Sequence, residues 1–129
     1  MRRFLAVLAV LSLLVIPVDA AETTKYVALT FDDGPHPKYT EQLLDGLKER
    51  GVVATFFVTG ENAENYPDII RREQDEGHLI GNHTYSHIQL TSRNRESFRE
   101  ELVQTNEILE EINVRFAVVP FYPIPTVGF

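Results

Sequence analysis

Between Tyr26 and Gly81, three short runs rich in β-branched and aromatic residues alternate with longer stretches of helical periodicity. That alternation confines the chain to an α/β fold with a parallel sheet and right-handed crossovers. Residues 26–31 read as a first strand buried on both faces, 54–58 as a second ended by Gly60, and 78–81 as a third. Residues 40–50 place Leu43, Leu44 and Leu47 on one helical face with Gly51 at the stop, and Pro67 opens a helix that turns Ile69 and Ile70 inward and ends at Gly77. A longer amphipathic helix follows, with Phe98, Leu102, Thr105, Leu109 and Ile112 recurring at spacings of four and three. Ser97 with Glu100 resembles its capping box, and the acidic pairs Glu100-Glu101 and Glu110-Glu111 read as its solvated face. Residues 115–119 supply a candidate fourth strand, which is too few to close a barrel.

The first twenty residues read as an address. Arg2 and Arg3 precede an apolar stretch from Phe4 to Val18, and Val18-Asp19-Ala20 has the small residues of a cleavage site, so removal is expected after Ala20. The stretch is shorter than the ~20 residues that span a bilayer and contains Ser12 and Pro17, which disfavours a membrane anchor. Residues 1–20 are therefore expected to be a signal peptide, with 21–129 an exported domain, secreted or held at the cell envelope, and no membrane span after cleavage. The remainder is enough for one modest core, and no repeat or linker marks a second domain. The net charge is −7, and losing Arg2, Arg3 and Asp19 makes it one unit more negative, which disfavours nucleic acid and anionic membranes. The chain has no cysteine, which excludes disulfides, thiol catalysis and cysteine-ligated zinc.

Chemistry concentrates at two strand ends. Asp32-Asp33 closes the first strand just before Gly34-Pro35, and His83-Thr84-Tyr85-Ser86-His87 follows the third. In α/β folds, catalytic groups collect at the carboxyl ends of strands, where loops vary without disturbing the sheet. Two neutral imidazoles and a carboxylate suit zinc or another divalent transition metal with positions left for water and substrate, so Asp33, His83 and His87 are the candidate ligands. Asp32 is the candidate general base. Neighbours in an extended segment point to opposite sides, so the two aspartates should differ in role. Taken alone, each motif has a plain alternative: a turn for the acid pair, surface decoration for the histidines. A helical zinc-protease motif is disfavoured because Thr84 stands where its glutamate belongs and Gly81-Asn82 argues for a loop. An iron oxygenase with the same ligand types would leave Asp32 without a role, and a glycosidase needs carboxylates ~5 Å or more apart across the substrate.

At these residues the sequence resembles the polysaccharide deacetylase family, also called the NodB homology domain or carbohydrate esterase family 4. Residues 30–35 resemble its first motif and 83–87 its second, while 54–58 and Gly81-Asn82 resemble its flanking segments; the similarity runs from about Tyr26 to Ile112. The resemblance implies the N-terminal part of a distorted (β/α) barrel. It implies Asp32 as general base, Asp33, His83 and His87 as metal ligands, and Thr84 as a hydrogen-bonding support of the histidine loop. It also implies metal-dependent removal of acetyl groups from N-acetylglucosamine units of chitin, chito-oligosaccharides, peptidoglycan or related glycans, with acetate and a free amine as products. Asn82-His83-Thr84 also matches a glycosylation sequon, a reading disfavoured on steric grounds because a sugar there would obstruct the proposed site. His36 reads as a loop residue beside the turn and His78 as a structural residue.

The sequence departs from the family's pattern after the last helix. No Arg-Pro-Pro-Tyr-Gly-like segment, later aspartate motif or leucine-histidine motif follows; those would supply an oxyanion donor, the acetyl-pocket wall and a histidine general acid. Residues 113–129 form an atypical tail, since from Val114 onward Arg115 is the only charged residue and Pro120, Pro123 and Pro125 forbid an ordinary helix. The composition break is expected of a truncated or frame-shifted deacetylase product. The competing expectation is a noncatalytic domain that retains metal or glycan binding.

Overall fold

A computed structural model of the chain describes residues 25–117. The expected signal peptide, and the tail from residue 118 onward, lie outside the described residues. The elements run β1 (Thr30–Gly34), α1 (Tyr39–Glu49), β2 (Thr55–Val58), α2 (Gly60–Asn65), α3 (Pro67–Asp75), β3 (Leu79–Asn82), α4 (Arg95–Glu111) and β4 (Phe116–Ala117). All strand pairs are parallel and the sheet order is β1-β2-β3-β4, so the carboxyl ends of the strands share one rim. Among the described residues the sheet is open at β1 and β4. This is the order of the opening strands of a (β/α) barrel, short of closure.

The helices cover one face of the sheet. Leu44 and Leu47 of α1, Ala63 of α2, Ile69 and Ile70 of α3 and Leu109 of α4 close on Phe56, Val58 and Ile80. On the other face Phe57 is half-buried and Leu79 is 63% exposed, so β2 and β3 are covered on one side rather than two. Close sheet packing there depends on Gly81, where a Cβ would stand 2.5 Å from Phe57 Cδ1.

The first strand departs most from its sequence expectation. It starts at Thr30 rather than Tyr26, contains the acid pair, and is largely exposed, with Tyr26 and Val27 outside it and open to solvent. Its apolar composition cannot bury it, because among the described residues β1 has a sheet neighbour on one side only. Two further differences concern helix starts. The last helix begins at Arg95 behind Asn94, and Ser97 lies inside it, so Ser97 and Glu100 form no capping box. Asn94 Oδ1 accepts from the Thr91 N–H and hydroxyl, which folds the approach to the helix instead. Gly60 does not simply end β2; it opens the six-residue α2, which residue periodicity is too short to show.

Charged groups fasten α1 to α3. The Arg72 guanidinium reaches Glu41, Asp45 (2.6 Å) and Glu76 (2.9 Å), and Lys48 meets Glu76 at 3.2 Å. Hydrogen bonds donated to the Asp45 and Glu76 carboxylates push the Arg72 pKa above its already high ordinary value. Glu73, one turn beyond Ile69 and Ile70 on the inner face of α3, is fully buried, and neither carboxylate oxygen has a hydrogen-bond partner. Burial pushes its carboxyl up to about 8.

Candidate metal centre

Asp33 owes its position to a break in the β1 ladder. Asp32 pairs with Phe57 and Gly34 with Val58, so Asp33 is the extra residue of a bulge, with φ 65°. Aspartate tolerates this left-handed backbone better than most residues. The bulge, more than strand alternation, separates the two aspartates. It is held from α2: Asn62 Nδ2 donates to the Asp33 carbonyl at 2.8 Å, and the Thr59 N–H donates to the Gly34 carbonyl at 3.1 Å.

The histidine loop leaves β3 under similar control. The His83 N–H donates to the Val58 carbonyl at 2.9 Å, continuing the ladder one residue past the strand. Asn82 is 2% exposed; its Nδ2 donates to the Leu102 carbonyl and to Asn106 Oδ1, and its Oδ1 accepts from the Thr84 N–H, all at 2.8 Å. That burial excludes the sequon as a glycan acceptor. Thr84 turns the chain at φ 67°, and His87 does so again at φ 60°. Between them, the first two N–H groups of α2 donate to loop carbonyls, Gly60 to Thr84 at 2.9 Å and Glu61 to Tyr85 at 3.1 Å. The Tyr85 hydroxyl donates to Glu64 at 3.0 Å, and the Ser86 N–H and hydroxyl donate to the two oxygens of Glu101 at 2.9 and 2.7 Å. Glu101 is thus engaged with the loop and is not part of a solvated face. Thr84 supports the loop through its backbone, since its hydroxyl is buried without a hydrogen-bond partner.

These restraints bring Asp33 Oδ1 to 3.2 Å from His83 Nε2 and 3.3 Å from His87 Nε2. One donor atom from each residue lies within 4.8 Å of the other two. Two ligand atoms held tetrahedrally at ~2.0–2.1 Å from one zinc ion lie about 3.3–3.4 Å apart, so the donor set fits a divalent metal. The His83 side chain is 5% exposed, whereas Asp33 and His87 are 64% and 60% exposed, leaving one side open to water and substrate. Asp32 borders a hollow beside β1 with Phe31, His36, Tyr39 and Leu43, and Asp33 lies on the same hollow.

The other histidines stand apart from this chemistry. His36 Nδ1 accepts from the Lys38 and Tyr39 N–H groups at 3.1 and 3.3 Å, as a turn residue does. His78 precedes β3 at the opposite end of the sheet, accepts the Ala54 N–H at 3.1 Å and packs against Phe56; burial lowers its pKa. Sequence patterns missed Asn62, Gly60 and Glu101. The available signal was Thr59, whose Oγ1 accepts the Asn62 N–H at 3.4 Å and caps α2. Gly60 is required because a Cβ there would stand 2.5 Å from Thr105 Oγ1 and 2.6 Å from Tyr85 Cδ2.

The family model described as polysaccharide deacetylase matches residues 19–125. A peptidoglycan-N-acetylglucosamine deacetylase of Bacillus cereus is 52% identical over 86 residues, covering 67% of this chain and 31% of that protein. A chitooligosaccharide deacetylase of Rhizobium leguminosarum bv. trifolii is 45% identical over 95 residues, covering 73% of this chain and 44% of that one. Among solved structures, a family 4 acetyl xylan esterase from Clostridium thermocellum in complex with a cobalt ion superposes with a TM-score of 0.64 at 38% identity, covering 68% of this chain and 43% of that chain. The chain therefore spans less than half the length of each of these relatives.

Proposed function

The chain belongs to the polysaccharide deacetylase family, and from that premise we propose that it is a metal-dependent hydrolase that removes acetyl groups from N-acetylated sugars of chitin, chito-oligosaccharides or peptidoglycan. The observation that carries this is the convergence of Asp33, His83 and His87 donor atoms within 4.8 Å at one strand rim. The relatives' activities, deacetylation of peptidoglycan N-acetylglucosamine and of chitooligosaccharide, supply the substrate class.

Asp33, His83 and His87 would hold the metal, with zinc favoured by two imidazoles, one carboxylate and the 3.2 and 3.3 Å spacings. When bound, such an ion polarises a carbonyl and lowers the pKa of water to about 7. Asp32, next to Asp33 in sequence but separated from it by the bulge, takes a proton from the attacking water as general base. The exposed faces of Asp33 and His87 leave room for a sugar acetamide to approach from solvent. Phe4 to Val18 supports export, and no helix among the described residues is long and apolar enough to cross a membrane.

The test is acetate release from an N-acetylglucosamine oligomer by the metal-loaded protein, by the chelated protein and by Asp32→Asn. Release that requires both metal and Asp32 supports the assignment. Metal uptake with no release would identify a metal-binding domain without catalysis.

A further inference from the structure

We propose that Glu101, on a helix that carries no ligand, is a positioning residue for the metal centre, fixing the backbone of His87 through Ser86. The inference rests on the metal-site assignment above and adds a residue outside the ligand set.

Glu101 binds the loop with both carboxylate oxygens, one to the Ser86 N–H and one to the Ser86 hydroxyl. Hydrogen bonds to an ionised acceptor are the stronger kind, and two on one residue fix its orientation as well as its place. The next residue, His87, has φ 60°. A left-handed backbone at a residue other than glycine persists only where the surroundings over-determine it. Upstream, the α2 N–H groups fix the Thr84 and Tyr85 carbonyls; downstream of Tyr85, Glu101 accepts from the Ser86 N–H and hydroxyl.

The helix is a firm post for this purpose. Asn82 bonds to the Leu102 carbonyl and to Asn106, and the Thr105 hydroxyl donates to the Glu101 carbonyl at 2.9 Å. Phe98, Thr105 and Leu109 are buried beneath α4. His83 is set by its own strand, whereas His87 is 60% exposed and owes its place to the loop. Without the carboxylate, the Ser86–His87 backbone relaxes to an ordinary conformation and the His87 imidazole leaves the 3.3 Å position beside Asp33.

The experiment titrates cobalt(II) into the full chain and compares Glu101→Ala, Glu101→Gln, Ser86→Ala and a control, Glu110→Ala, reading affinity, the visible cobalt absorption and amide hydrogen exchange at Ser86 and His87. Loss of a group that orients a metal ligand typically weakens binding 10–100-fold, and that range is expected for Glu101→Ala with an altered cobalt band. Glu101→Gln, which keeps one acceptor oxygen, should recover part of the loss, and Glu110→Ala should match the parent. Thermal unfolding checks that the variants fold; should Glu101→Ala not fold, Glu101→Gln and Ser86→Ala carry the same comparison. Parental affinity and spectrum in the folded Glu101 variants would overturn the positioning role alone. A parent chain that takes up no cobalt would overturn the metal assignment and this inference together.

Discussion

Replacing Glu73 with methionine should stabilise the protein, and by more at higher pH. The carboxyl is fully buried without a hydrogen-bond partner, and its pKa rises from the ordinary 4.5 to about 8 in the fold. An acid whose pKa is raised by folding binds its proton more tightly in the native state, so its stability is fully present below pH 4.5 and is lost as pH rises towards 8. At about 1.4 kcal/mol for each pH unit between the two values, the loss amounts to roughly 5 kcal/mol above pH 8 and roughly 3 kcal/mol at pH 7. Against a typical total of about 5–15 kcal/mol, that is a large fraction. Methionine is unbranched, of similar length and fills irregular gaps, so it removes the titration with little change of shape. Urea unfolding of both proteins between pH 4.5 and 8.5 measures the difference, which should be small at the acid end and widen across the range. Parallel curves would refute the reasoning, and a methionine variant that loses ground as pH rises would mean that Glu73 is ionised and paired with a cation.

Asp32→Asn should lower acetate release by about 10²–10⁴-fold with cobalt affinity within a few-fold of the parent, because on the proposed assignment it removes a base and no ligand; a matching collapse in affinity would reassign Asp32. Asn62→Ala frees the Asp33 carbonyl and should weaken metal binding by about tenfold, read by the same titration. Gly60→Ala forces a methyl onto Thr105 and Tyr85 and should cost about 1–3 kcal/mol by chemical denaturation; an unchanged midpoint would show that the helices can separate cheaply. His78→Leu removes the acceptor of the Ala54 N–H and should destabilise by about 1–3 kcal/mol while leaving acetate release per folded molecule unchanged.

Strand and helix alternation was legible because period and punctuation agree: Leu44 and Leu47 are buried on α1, Ile69 and Ile70 on α3, and Gly51 and Gly77 adopt φ 61° and 88° past the ends of their helices. The grouping of Asp33, His83 and His87 was legible because each follows or closes a parallel strand, and parallel strands put those ends on one rim. Three features escaped. The exposure of β1 depends on what pairs with its far edge, which its own apolar residues do not encode. The α2 helix is only six residues long and begins with glycine, so it lacks an apolar stripe. Glu101 has the composition of a solvent residue, and its engagement with Ser86 depends on how α4 crosses the loop, a tertiary relation that spacing within the helix does not carry.

The segment between the two histidines is gripped through its peptide groups and the Tyr85 and Ser86 hydroxyls, and every one of those bonds ends on a residue outside the segment, so its shape is imposed from without. Transplanting the pentapeptide alone onto another scaffold would therefore leave its imidazoles wandering. A working graft would have to bring the helix that begins at Gly60 and the stretch around Glu101 as a matched cradle.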